Sequence, residues 1–254
     1  MRVYKFGGAS VKDASGVRNL LRVLEELKAS NTVVVISAMG KMTNAFESVV
    51  HAYFEEKENS AGKRSPYAAK ELLAEIEAFH LRIIDDLGFE AAHPLRGTVK
   101  NLLEATWKFL ETNESNSYDF VYDQVVSCGE LISTRICSEF LNSKGLSNNW
   151  LDVRGCIVTN SDFRRARVDW NATCRQINSK VERNAITITQ GFLGGDDQDN
   201  TTTLGREGSD YTAGIFAYCL EASEVSIFKD VPGVLNADPR EFEQTELLNR
   251  ISYK

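Results

Sequence analysis

The sequence predicts an α/β protein, a three-layer α/β/α sandwich with a mostly parallel central sheet. Three observations carry this. "RVYKF" at 2–6 reads as a short strand that ends in Gly7-Gly8. Residues 13–29 follow, with Val17, Leu20, Leu21, Val23, Leu24 and Leu27 recurring at helical spacing. "TVVVIS" at 32–37 is then apolar and β-branched throughout, as expected of a strand covered on both faces. Strand, glycine turn, helix and buried strand in that order make a βαβ opening.

The remaining elements extend this pattern. Residues 44–112 are helical and more polar, with "EEKENSAGKRSP" at 55–66 as a loop, and the region is expected to be a helical elaboration without strands. "NNWLDVRGCIVT" at 148–159 returns to strand character, and "NAITITQGFLGG" at 184–195 is a buried strand ending in glycines. The acidic loop "DDQDN" leads into "TTTLGREGSDYTAG" at 201–214, whose residue mix does not suit a core strand. "EVSIFKDVPGVLNADPR" at 224–240 supplies a further strand and then Pro-Gly and Asp-Pro turns.

Composition bounds the function. The chain has 254 residues, 43% hydrophobic and 26% charged, enough to bury a sizeable core. Its 29 basic against 36 acidic side chains give a net charge of −7, which disfavours nonspecific nucleic-acid binding. No apolar run approaches the ~18 residues of a membrane span, and no apolar signal core follows Met1. Five scattered cysteines without a Cys-x-x-Cys pair are expected to be reduced, so a cytoplasmic location is expected. His51, His80 and His93 lack metal-ligand spacing, and no protein-held metal site is expected.

Five stretches can carry chemistry. Gly7-Gly8, between strand and helix, is either a tight turn or an anion site built from backbone N–H groups, with Lys5 adding a charge. It matches neither the phosphate-loop nor the dinucleotide fingerprint. Ser37 and Thr43 flank Gly40 just past the second strand, where open α/β sheets bind ligands, although taken alone they are better explained by a loop and helix cap. Glu130, after Gly129, reads as a first-turn carboxylate stabilised by the helix dipole or as a partner for a substrate ammonium. In "GREGSD", flanking glycines let a ligand approach, Arg206 offers a planar fork for a carboxylate or phosphate, and Ser209 and Asp210 stand at a helix start. "KDVPGVLNADPR" is either a pair of turns or a loop around a nucleotide.

Taken together and in order, "KFGGAS", "VISAMGKMTN", "SCGE", "TQGFLGG", "TTTLGREGSDYTA" and "DVPGVLNADPR" resemble the aspartate kinases of the amino-acid kinase superfamily, from Lys5 to Arg240. The resemblance implies the amino-acid kinase fold over 1–254 and ATP-dependent phosphorylation of the L-aspartate side chain, the entry to lysine, threonine and methionine synthesis. It further implies that Lys5, Gly7 and Gly8 contact the transferring phosphoryl group, with Ser37 and Thr43 near phosphate and aspartate. Glu130 would hold the aspartate ammonium, and Arg206 with Ser209 its carboxylate. Asp210 would organise the catalytic lysine and the Mg-ATP phosphates, and Lys229, Asp230, Leu235, Asp238 and Arg240 would fall in the nucleotide region. The cofactors implied are ATP and Mg²⁺, the latter held mainly through ATP.

Two departures stand out. The family pattern Gly-Arg-Gly-Gly-Ser-Asp has Glu207 in place of its middle glycine here, a side chain expected to point outward. Family kinase domains also continue to a "GAKVLHP"-type segment and paired ACT domains. Residues 1–254 are therefore expected to be an incomplete catalytic domain of a longer, homo-oligomeric protein. A sister kinase with another acceptor (acetylglutamate, glutamate or UMP) and a noncatalytic binding module remain alternatives.

Overall fold

The computed structural model describes residues 1–59, 67–229, 231 and 233–252. Its centre is a five-stranded sheet: β1 (Arg2–Phe6), β2 (Thr32–Ile36), β3 (Asn149–Leu151), β4 (Ile186–Gln190) and β7 (Glu224–Phe228), in the order β3-β4-β2-β1-β7. Every pairing is parallel, so all five carboxyl ends lie along one edge. A two-stranded antiparallel ribbon, β5 (Leu193–Gly195) with β6 (Thr201–Thr203), lies beside it.

Strand alternation builds two cores. Tyr4, Phe6, Val34, Ile36 and Ile188 face one side, against α1 (Ala14–Glu26), α2 (Met42–Asn59), α3 (Tyr67–Asp86), α4 (Pro94–Thr112) and α5 (Tyr118–Ser143). Val3, Val33 and Val35 face the other, against α6 (Trp170–Lys180) and α7 (Gly208–Cys219). Successive side chains of a strand point to opposite faces, so an unbroken valine run serves two cores at once. The three-layer sandwich with a parallel sheet is as the sequence predicts.

Helices α2, α3 and α4 occupy the stretch from Met42 to Thr112, with no strand among its described residues. Of the loop expected at 55–66, residues 55–59 are helical, because α2 continues to Asn59, and residues 60–66 lie outside the described residues. The 148–159 stretch is a strand for three residues only. Asp152 then caps a short 3-10 turn by accepting from the Arg154 amide, and Val158 and Thr159 make isolated bridges.

Three expectations are overturned. Thr201–Thr203 is a buried strand, because its polar groups are bonded: Thr202 Oγ1 pairs with Thr159 Oγ1 at 2.7 Å, and Thr203 Oγ1 donates to Asp123 at 2.7 Å. Glu130 does not open a helix but sits in the middle of the 26-residue α5. Gly129 before it is a close-packing residue, since a β-carbon there would lie 3.1 Å from Ala38 Cβ and 3.3 Å from the Phe46 ring. Finally, the cysteines are not all free thiols. Packing of α6 against α7 brings Cys174 and Cys219, 45 residues apart, into a disulfide, while Cys128, Cys137 and Cys156 are free and buried.

Candidate active site

A cleft of about 370 Å³ opens at the carboxyl edge of the sheet, where parallel strands release their loops. Lys5, Ser37, Thr43, Glu130, Arg206, Ser209 and Asp210, seven residues singled out from the sequence, line it. They arrive from β1, the β2–α2 connection, the first turn of α2, the middle of α5, the β6–α7 connection and the first turn of α7.

One wall is a chain of alternating charge. Lys5, 6% exposed, places Nζ 2.6 Å from Asp210 Oδ1, and Lys229 Nζ lies 3.1 Å from Asp210 Oδ2. Glu207 follows at 3.8 Å from Lys229. Burial works to raise the Asp210 pKa, but the hydrogen bonds and charges of Lys5 and Lys229 outweigh it and the net shift is downward. Asp210 is thus held ionised between two ammonium groups.

The start of α7 differs from a side-chain-capped helix. Its cap residue is Glu207, at φ 56° and ψ 23°, with no side-chain cap bond. Ser209 and Asp210 therefore do not cap. Ser209 instead meets Ser37, whose Oγ donates to Ser209 Oγ at 3.0 Å, and Ser133 Oγ fixes the Ser37 carbonyl at 2.8 Å. The Glu207 side chain is 66% exposed, yet it lines the rim of the cleft and faces Lys229 rather than pointing wholly outward. Its backbone nonetheless occupies the left-handed region that glycine adopts most cheaply.

Opposite stands Glu130, 2% exposed. Its Oε1 accepts from the Ala38 amide at 3.4 Å, and its Oε2 has no hydrogen-bond partner among the described residues. Burial pushes its pKa up to about 8. A carboxylate in this setting is short of a cation, because no described residue forms an ion pair with it. Arg206 is exposed at the cleft and has no carboxylate partner among the described residues, so its fork is available.

Other expected residues lie elsewhere. Gly7 and Gly8 are not among the lining residues, although a β-carbon on Gly7 would lie 3.6 Å from Lys5 Nζ; Gly7 caps and Gly8 begins a single 3-10 turn, Gly8–Val11, ahead of α1, whose own start is capped by Asp13. The Gly7 amide donates to Phe228 O at 3.3 Å, tying the turn to β7. Gly8 is required by close approach, since a β-carbon there would lie 2.5 Å from Ala38 O. Leu235 bridges Leu247, and Asp238 and Arg240 pair with each other at 2.7 Å on an exposed turn. Asp230 lies outside the described residues.

Sequence reasoning missed Tyr122, Arg164, Phe192 and Thr203 as lining residues. Phe192 and Thr203 fall inside motifs already singled out. Tyr122 and Arg164 carry no motif, and their proximity arises from folding. Asp123 is the organiser: its Oδ2 accepts from the Arg164 amide at 3.0 Å and the Thr203 amide at 2.8 Å. Burial raises its pKa to about 6, and those bonds oppose the rise.

Residues 1–254, the whole chain, match the amino acid kinase family. The chain belongs to that family. It is 32% identical to the lysine-sensitive aspartokinase 3 of Escherichia coli (strain K12), over 99% of this chain and 54% of that protein. It is 30% identical to the chloroplastic bifunctional aspartokinase/homoserine dehydrogenase 2 of Arabidopsis thaliana, over 99% of this chain and 27% of that protein. The crystal structure of E. coli aspartokinase III with aspartate and ADP superposes with a TM-score of 0.83 at 32% identity, covering 98% of this chain and 53% of that one. The chain thus spans about half the length of the E. coli relative and about a quarter of the Arabidopsis one.

Proposed function

We propose that the protein phosphorylates the side-chain carboxylate of L-aspartate with ATP, giving 4-phospho-L-aspartate and ADP. The observation that carries this is the buried, half-unpartnered Glu130 carboxylate facing the same cleft as the Arg206 fork and the Lys5–Asp210–Lys229 chain. Glu130 would pair with the substrate ammonium and Arg206, with Ser209, with its α-carboxylate. Thr43 and Ser37 would orient the side-chain carboxylate toward the phosphoryl group. The likeness to an aspartokinase solved with aspartate and ADP supports the same assignment.

The chemistry asks for little proton transfer. The acceptor carboxylate, with an ordinary pKa near 3.9, is ionised at neutral pH and needs no general base. One of its oxygens bonds to the γ-phosphorus, the bond from that phosphorus to the β,γ-bridging oxygen breaks, and the electron pair leaves on ADP. What opposes reaction is the approach of an anion to a polyanion. Lys5 would offset the charge on the moving phosphoryl group, with Asp210 holding its ammonium in place, and Lys229 would meet the nucleotide phosphates. Gly7 and Gly8 would shape the turn beneath the phosphates. Asp230, Leu235, Asp238 and Arg240 belong to the segment after β7 that we assign to the nucleotide. Mg²⁺, arriving with ATP and bound chiefly through phosphate oxygens, would neutralise further charge.

Residues 1–254 are proposed as the catalytic domain, homo-oligomeric in the full-length protein, with a place at the entry to lysine, threonine and methionine synthesis. No described helix is long and apolar enough to cross a membrane. We place the reaction in the cytoplasm, and thiol labelling of fresh lysates would report whether Cys174 and Cys219 are paired there. An ADP-release assay offering aspartate, acetylglutamate, glutamate and UMP tests the acceptor. Turnover with aspartate alone is expected, and turnover with another acceptor but not aspartate would overturn the proposal.

A further inference from the structure

Among the described residues, eight other than glycine have a positive φ, and three of them line the cleft: Arg164 (φ 66°), Phe192 (φ 72°) and Glu207 (φ 56°). The left-handed region crowds a β-carbon, and side chains held there against that cost concentrate at functional sites. Arg164 is the one with the chemistry to bind an anion.

Asp123 fixes its position. The same carboxylate that accepts from the Arg164 amide also accepts from the amide and hydroxyl of Thr203, three residues before Arg206. Both arginines therefore hang from one buried anchor. The Arg164 guanidinium carbon lies 4.4 Å from the centroid of the Tyr122 ring, which itself lines the cleft. Its ion contacts, 3.4 Å to Asp119 and 3.7 Å to Glu47, are longer than the ~2.7–2.9 Å of a well-formed arginine–carboxylate pair. With 41% of the side chain exposed, the fork rests beside the cleft with donating capacity to spare. A strut at φ 66° would be served by glycine, without a guanidinium.

We propose that Arg164 is a specificity-determining residue of the acceptor pocket: it receives the acceptor α-carboxylate jointly with Arg206, so that the site selects acceptors bearing a free carboxylate beside the amine. The proposal rests on the aspartate reading above and deepens it.

The test compares L-aspartate with its α-amide in wild-type, Arg164→Gly and Arg164→Lys forms of the intact protein. Glycine suits the backbone and removes the fork, whereas lysine keeps a charge without the planar geometry. For Arg164→Gly the aspartate KM is expected to rise by about tenfold, while the KM of the α-amide, the KM of ATP and kcat move by less than about twofold. Discrimination between the two acceptors then falls by about tenfold, and Arg164→Lys recovers part of it. A parallel rise for both acceptors, a fall in kcat alone, or an unchanged aspartate KM would overturn the proposal. Wild-type protein that binds aspartate without phosphorylating it contradicts the kinase reading alone, and dissociation constants from calorimetry then decide Arg164 in the same way. Wild-type protein that does not bind aspartate contradicts both.

Discussion

Replacing Glu130 by glutamine should make the ligand-free protein more stable while weakening it as a binder of aspartate. In the unfolded chain a glutamate loses its proton near pH 4.5, whereas the buried Glu130 keeps it to about pH 8. Between those values the folded state binds the extra proton, so stability falls as pH rises, by about 1.4 kcal/mol per unit, and the loss is complete above the folded pKa. At pH 7 the accumulated penalty is about 3 kcal/mol, from 2.5 units between 4.5 and 7. Asp123, with its pKa raised to about 6, titrates in the same sense but is common to both proteins and cancels in the difference. Glutamine keeps an acceptor for the Ala38 amide and cannot ionise. Its amide inherits the position of the partnerless Oε2, which costs about 1–2 kcal/mol at every pH. Urea unfolding without ligands, followed by tryptophan fluorescence, should show wild type equal or superior near pH 5 and the variant ahead by about 2–3 kcal/mol near pH 8, where the accumulated penalty has grown to about 4 kcal/mol. Saturating aspartate should flatten the wild-type profile, because its ammonium compensates the charge, and leave the variant unaffected. Parallel pH profiles for the two proteins would refute the reasoning.

Other perturbations read the remaining parts of the cleft. Arg206→Ala is expected to raise the aspartate KM by about tenfold or more and leave that of ATP nearly unchanged; equal effects on both would count against a carboxylate-facing fork. Lys5→Ala should lower kcat by about a thousandfold with a smaller effect on either KM, and an unaltered kcat would remove Lys5 from phosphoryl transfer. Glu207→Gly relieves the left-handed backbone and frees Lys229 of one carboxylate. The thermal midpoint should rise slightly and the ATP KM fall by about two- to threefold at low salt, converging on wild type at high salt. A salt-independent change would point to loop geometry instead.

The fold was legible where a single pattern decides the structure. Valine runs at 32–36 and the amphipathic Val17–Leu24 spacing have one good solution each, a doubly covered strand and a helix with one buried face. Legibility ends where burial depends on partners far along the chain. Thr201–Thr203 looks too polar for a core because the residues that satisfy it, Thr159, Asp123 and Gln124, lie 40 to 80 residues away. Gly129 imitates a helix start because its reason, the approach of Phe46, cannot be seen from local sequence. The same applies to the Cys174–Cys219 pair, joined by two helices that meet only after folding, and to Arg164, a turn residue that Asp123 of α5 holds at the cleft. The arginine and aspartate of the cleft stand out between their glycines, whereas the roles of the lysine and glutamate come from the resemblance. The nucleotide segment was inferred from resemblance, and its Asp238–Arg240 pair stands apart from the cleft.

Transfer of a phosphoryl group from ATP to the aspartate side chain would leave an acyl phosphate that can be trapped. The most direct measurement incubates the intact protein with ATP, Mg²⁺ and L-aspartate in the presence of hydroxylamine, which traps an acyl phosphate as its hydroxamate. β-Aspartyl hydroxamate is expected in step with ADP, and none when asparagine replaces aspartate. ADP release without hydroxamate, or neither product from a protein that binds both ligands, would contradict phosphoryl transfer to aspartate.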